Sequence, residues 1–136
     1  MCSALALGGL TPSAGLMHLA AKSTVPVYAM IRPREGGFVF AEAEIDQMLA
    51  DIDAARAAGL AGVVLGASLD DHTLDIATLK RLSEAAGSMG RTLHRVFDLT
   101  PNPLMAVDQA VALGFESILT SGQAISAPRG HSVLKN

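Results

Sequence analysis

The stretch LHRVFDLTPNP, Leu93 to Pro103, decides how the rest of the chain reads. Its first half continues an apolar run that opens with RTL at Arg91. Its second half sets Asn102 before Pro103, a good N-cap followed by a good first helical residue. A strand, expected over Thr92–Phe97, therefore runs into a helix. That helix carries Leu104, Val107 and Val111 and ends at Gly114, and SILTSG follows as a further strand, expected over Ser117–Thr120. Between the first strand and its helix stand His94, Arg95 and Asp98, three polar groups of different charge within five residues.

The same alternation holds upstream. VPVYAMIR, Val25 to Arg32, is a near-continuous apolar run of the kind that suits a parallel strand covered on both faces. AEAEIDQMLADIDAARAAG then places Ile45, Met48, Leu49 and Ile52 at helical spacing, with Gly59 as a stop. GVVLG predicts a buried strand over Gly62–Leu65. A helix over about Asp75 to Ala86 aligns Ile76, Leu79 and Leu82 on one stripe, closed by Gly87. At the front, Thr11 and Pro12 look like another capped start, leading into Leu16, Leu19 and Ala20. No hairpin signal interrupts the series, so the class is α/β, with right-handed crossovers and a parallel sheet. The residues alone leave two forms open, a doubly wound sheet and part of a (β/α)₈ barrel. No G-x-G-x-x-G opens a helix, which gives a dinucleotide-binding version little support.

The chain has 136 residues, half of them hydrophobic, and a net charge of −3, which fits one domain with a real core. Aromatics make up 4% and Trp is absent, so that core is built from Ala, Leu, Val, Ile and Met. No basic stripe points to nucleic acid as a partner. No apolar run is long enough for a bilayer, and MCSALALGGL lacks the basic start of a secretory signal, so no membrane partner is expected. The single cysteine, Cys2, cannot form an internal disulfide and reads as an ordinary reduced thiol. Residues 1–124 form the expected domain. Residues 125–136 show no periodicity and read as an irregular tail.

In parallel α/β architectures function gathers at the carboxyl ends of the strands. Those ends carry Arg32 and Arg34, then Ser68, Asp70 and Asp71, then His94, Arg95 and Asp98, and finally Thr120, Ser121 and Gly122. Four successive strands thus deliver polar groups to one rim, and that convergence says more than any one residue. Singly, each has a plain explanation. His94 alternates with Thr92 and Val96 and suits a hydrogen-bonded interior histidine. Asp98 suits a cap on the loop before Pro101. Arg95, in step with Leu93 and Phe97, suits a stem packed on helices with its head in solvent. Arg32 and Arg34 flank Pro33 in what reads either as a solvated loop or as a carboxylate or phosphate site. TSGQ offers hydroxyls and a turn whose N–H groups suit an anion. His18, His72 and His131 read as surface residues.

The segments CSALALGGLTPS, MIRPR, GVVLG, HRVFD and LTSGQ resemble, in order and spacing, the CutC family, which is named for copper homeostasis. The resemblance covers Cys2 to about Ser126. It implies a (β/α)₈ TIM-type barrel of parallel strands, a cytoplasmic location and a copper-handling role. A complete barrel takes about 250 residues, and members of the family have a strand and helix ahead of the Cys2 segment and further units after LTSGQ. The expectation is therefore a truncated member, a partial barrel with about five of eight strand positions. Its unpaired strand edges and uncovered apolar surface predict a homo-oligomer. For copper, Cu(I) prefers thiolate and thioether donors, and the candidates are Cys2 with Met17 or Met30. The family pattern places another cysteine in the strand missing here. The alternative is a barrel enzyme acting on a small anionic substrate. Arg32, Arg34, Arg95, Thr120, Ser121 and Gly122 would bind it, and His94 with Asp98 would move protons. A third reading is a fragment without activity.

Overall fold

A computed structural model describes Met1 to Lys135. Four strands, β1 (Tyr28–Met30), β2 (Gly62–Leu65), β3 (Gly90–Leu93) and β4 (Ser117–Ile118), lie in the order β1-β2-β3-β4 and are all parallel. Ahead of and between them run α1 (Ala14–Ala20), α2 (Glu42–Ala58), α3 (Ile76–Ala86) and α4 (Pro103–Ala112). A sequential order with right-handed crossovers keeps every helix on one face, as in a barrel wall; a doubly wound sheet would reverse its order partway. The fold is a partial TIM-type barrel.

Alternation along the strands separates the two faces. Ala29, Ile31, Val63, Leu65 and Leu93 are fully buried, together with Met48 and Ile52 of α2, Leu79 and Leu82 of α3, and Ala106 and Ala110 of α4. Each large side chain in this layer contributes about 1.5–3 kcal/mol of burial. On the other face Tyr28, Met30, Val64 and Thr92 are half-buried. There Tyr28 crosses its neighbours where they have no side chain: a Cβ on Gly90 would stand 2.0 Å from the Tyr28 hydroxyl. At the β1 edge, the Met1 amine donates to the Tyr28 carbonyl at 2.6 Å, and Met30 N–H donates to the Met1 carbonyl at 2.8 Å. That is one rung of a parallel ladder on the outer side of β1.

Helix ends follow their caps. Asp75 accepts from Thr78 N–H at the start of α3, Asn102 from Met105 N–H at the start of α4, and Gly59 closes α2 with φ of 84°. At α1 the cap is Ser13, which accepts from Leu16 N–H; the hydroxyl of Thr11, the expected cap, accepts from Arg32 N–H instead. The strands are shorter than expected. Pro26 has no N–H to give a ladder, and β1 begins two residues beyond it. β3 stops at Leu93, not Phe97, because the His94 side chain captures Val96 N–H and starts a 3₁₀ turn over Arg95–Leu99. β4 ends at Ile118, although Leu119 N–H still reaches the Leu93 carbonyl at 2.8 Å. In the tail expected to be irregular, α5 (His131–Leu134) forms a single helical turn. No helix among the described residues is long and apolar enough to cross a membrane.

Candidate functional site at the barrel mouth

Parity places His94 on the inner face, in step with Thr92. It fits there because β2 is followed by Gly66: a Cβ on that glycine would lie 2.5 Å from His94 Cε1. The imidazole is 3% exposed, tilted against the Phe38 ring with centroids 4.7 Å apart. Burial first, and the nearby Arg32 charge second, bring its pKa down from 6.5 to about 3, so the ring is neutral at physiological pH. Its Nδ1 accepts from Val96 N–H at 3.1 Å, which assigns the single ring proton to Nε2. That Nε2 is buried and has no hydrogen-bond partner.

Arg32, at the end of β1, is 7% exposed. Its guanidinium donates to the carbonyls of Leu7 (3.0 Å), Gly9 (3.3 Å) and Gly36 (2.9 Å), and its Cζ sits 5.0 Å from the Phe38 ring centroid. Burial and then the neighbouring Arg34 charge lower its pKa. Its Nε is likewise buried and unpartnered. Arg32, Phe38 and His94 form a stack beside a cavity of about 70 Å³, with Met30 and Gly8 also lining it.

The other predicted residues form a second cluster. Asp98 accepts from Thr120 Oγ1 (2.5 Å), Arg95 Nε (2.7 Å) and the N–H groups of Ser121 and Gln123 (both 3.1 Å). Arg95 also reaches Ser121 Oγ at 2.6 Å, and Gly122 N–H donates to Thr120 Oγ1 at 2.9 Å. Burial pushes the Asp98 carboxyl up, but the donors from Thr120, Arg95, Gln123 and Ser121 outweigh it and bring it to about 2. The anion-binding turn of TSGQ is thus filled by the chain's own carboxylate. Asp98 does more than cap the loop before Pro101; it joins the β3 and β4 ends. No hydrogen bond links His94 to Asp98, and a neutral histidine beside an ionised, fully engaged carboxylate makes no proton-relay pair.

Arg34 is turned away from the stack. It pairs with Glu44, donates to the carbonyls of Glu35, Gly37 and Val39, and lies over the Phe40 ring at 5.2 Å. Ser68 is buried beneath a bridge to Leu74, and Asp71 holds Thr73 in an exposed turn. Of the soft donors, Met17 lies in the core, 1% exposed. Cys2 and Met30 both adjoin Gly9: the position of a Gly9 Cβ lies 3.1 Å from Cys2 Sγ and 3.8 Å from Met30 Cε. Among the described residues no group of three or more His, Cys, Asp or Glu is arranged for a metal ion.

Sequence reasoning missed Phe38, whose ring contacts both Arg32 and His94, and Gln123. The latter adopts φ of +59° and donates from its side chain to the Thr100 carbonyl at 2.6 Å. The two phenylalanines of FVF, three and five residues beyond Glu35 in a chain with four in all, were the available signal.

Comparison with known proteins agrees with this architecture. The family model described as the CutC family matches residues 1–136. A CutC family protein of Rhizobium meliloti (strain 1021) is 58% identical over 135 residues, covering 99% of this chain and 55% of the relative. One from Vibrio vulnificus (strain CMCP6) is 53% identical over 137 residues, covering 98% and 55%. The crystal structure of a Streptococcus agalactiae CutC, provisionally named a copper homeostasis protein, superposes with a TM-score of 0.94 at 32% identity, covering 98% of this chain and 68% of that one. The chain spans about half the length of the curated relatives it matches. With its family model matched from end to end, this chain belongs to the CutC family.

Proposed function

We propose that the chain acts in copper homeostasis, the role in the name of its S. agalactiae relative, by offering Cu(I) a thiolate and a thioether at the barrel mouth. The observation that supports this reading is the approach of Cys2 Sγ and Met30 to the same glycine. Cu(I) favours soft sulfur donors, and a two-donor set fits it better than it fits harder ions. Cys2 is only partly buried. His94 does not complete the set. To ligate through Nε2 it would have to carry its proton on Nδ1, which faces the Val96 N–H. Two donors imply modest affinity in a single chain. Competition against a Cu(I) chelator tests this: binding should be weak, and lost in Cys2→Ser. Tight one-to-one binding that survives Cys2→Ser would refute it.

A second reading, a barrel acting on a small anionic ligand, is favoured by a different observation. Arg32 and His94, both buried, each keep an unused N–H beside one cavity.

A further inference from the structure

We propose that the cavity beside Arg32, Phe38 and His94 binds the carboxylate group of a small organic acid. This rests on the second reading above and specifies its ligand. Five buried side-chain N or O atoms lack a partner among the described residues, and two of them, Arg32 Nε and His94 Nε2, belong to residues lining this one cavity. Buried polar groups in folded proteins are nearly always paired, so two orphans at one cavity mark a place where a ligand atom completes the set.

The polarity of the ligand follows from the hydrogen-bond pattern. Arginine nitrogen only donates. His94 has its acceptor nitrogen occupied by Val96 N–H, so its remaining nitrogen donates as well. Two donors with no free acceptor ask for a group that only accepts. That excludes ammonium groups, which only donate, and these two nitrogens offer a metal ion no lone pair. The charge of the ligand follows from counting. Arg32 supplies one positive charge, His94 is neutral, and the Arg34 charge is answered by Glu44. Of the remaining lining residues, Arg95 is answered by Asp98. A single cation with no ion-pair partner, its charge felt by Glu35 at longer range, matches a monoanionic carboxylate better than a phosphate dianion. The turn best shaped to hold phosphate, TSGQ, already carries Asp98. The cavity is also small, about 70 Å³, and sits between the Arg32–Phe38–His94 stack and exposed Arg95 and Leu119, which leave the rest of an acid free to project outward.

The experiment is a titration of the full chain, labelled with nitrogen-15, with acetate, pyruvate and inorganic phosphate at constant ionic strength and pH 7. The proposal expects saturable binding of the carboxylates, a downfield shift of the His94 Nε2 proton, and a shift of the Val96 amide. It expects phosphate to bind at least tenfold more weakly and methyl acetate, the uncharged counterpart, not to bind. In His94→Leu, whose side chain has no N–H to donate, carboxylate affinity should fall about tenfold. The imidazole spectrum of the unmodified chain gives a test that needs no variant: the Nε2–H tautomer must be present. Phosphate binding without carboxylate binding would overturn this inference and leave the anionic-ligand reading standing. No saturable binding of either would overturn both. A proton on Nδ1, or carboxylate affinity unchanged in His94→Leu, would overturn the inference alone.

Discussion

A buried neutral histidine makes stability fall with acid from about pH 6.5, before the carboxylates whose pKa values are lowered, among them Glu42, Glu44 and Asp98, begin to take up protons. In the unfolded chain His94 titrates near 6.5; in the fold it does so near 3. Because its folded pKa is lowered, the unfolded state binds more protons between those values, and stability decreases as pH falls through 6.5 toward 3. With these two values, linkage gives a loss of about 2 kcal/mol between pH 7 and pH 5 and about 3 kcal/mol by pH 4. Asp98 acts elsewhere. Its lowered pKa contributes stability that is present above 3.8 and disappears only as pH falls toward 2. The other histidines, His18, His72 and His131, are exposed. Urea denaturation at pH 7, 6, 5 and 4, followed by circular dichroism, measures the effect. His94→Gln is the control, since it removes the titrating ring and retains an acceptor for Val96 N–H. The unmodified chain should lose about 2 kcal/mol from pH 7 to pH 5, and His94→Gln should lose far less over the same range. Equal losses in the two proteins would refute the burial argument.

Gly66→Ala would set a Cβ 2.5 Å from His94 Cε1 and 2.7 Å from Val96 Cγ1, so it should cost about 1–3 kcal/mol, and His94→Ala in that background should recover part of the loss. Thermal melts of the single and double variants check this; no recovery would mean that another contact is violated. Asp98→Asn removes the charge that gathers Thr120, Ser121, Gln123 and Arg95, and should cost about 2–3 kcal/mol and speed amide exchange at Ser121 and Gln123. Arg34→Gln removes a partly exposed pair with Glu44 and the exposed bonds to the carbonyls of Glu35, Gly37 and Val39, and should cost about 1–2 kcal/mol by the same melts. We further propose self-association at micromolar concentration, because the β4 edge is unpaired and an apolar groove of about 540 Å³ runs beside it between Leu104, Val107, Ile118 and Val133. Sedimentation showing a compact monomer would contradict it.

Helices were more legible in the sequence than strands because their ends are written in single residues. Gly59, Asp75 and Asn102 mark boundaries whatever lies across the fold. Strand ends depend on what the next turn does: His94 continues the strand pattern in sequence, but its ring takes Val96 N–H and ends the ladder. The rim was legible as a convergence of polar groups, since carboxyl ends of parallel strands must meet. How the rim divides was not. His94 and Asp98 are four residues apart, yet one belongs to the buried stack with Arg32 and the other to the TSGQ turn. Partner choice there turns on inner against outer parity and on loops without periodicity. Phe38 escaped notice for the latter reason.

The engagement of Asp98 by the turn after β4 has a consequence for how the mouth treats solutes. A carboxylate tethered to its own cradle acts as a resident competitor, present at an effective concentration far above that of any free anion in solution. Exchange would require Arg95, two hydroxyls and two main-chain N–H groups to let go together. This corner of the barrel therefore behaves as a clasp between adjacent βα units. On the carboxylate proposal above, selectivity for dissolved acids falls to the neighbouring cavity of Arg32 and His94, whose unpartnered donors Asp98 does not engage.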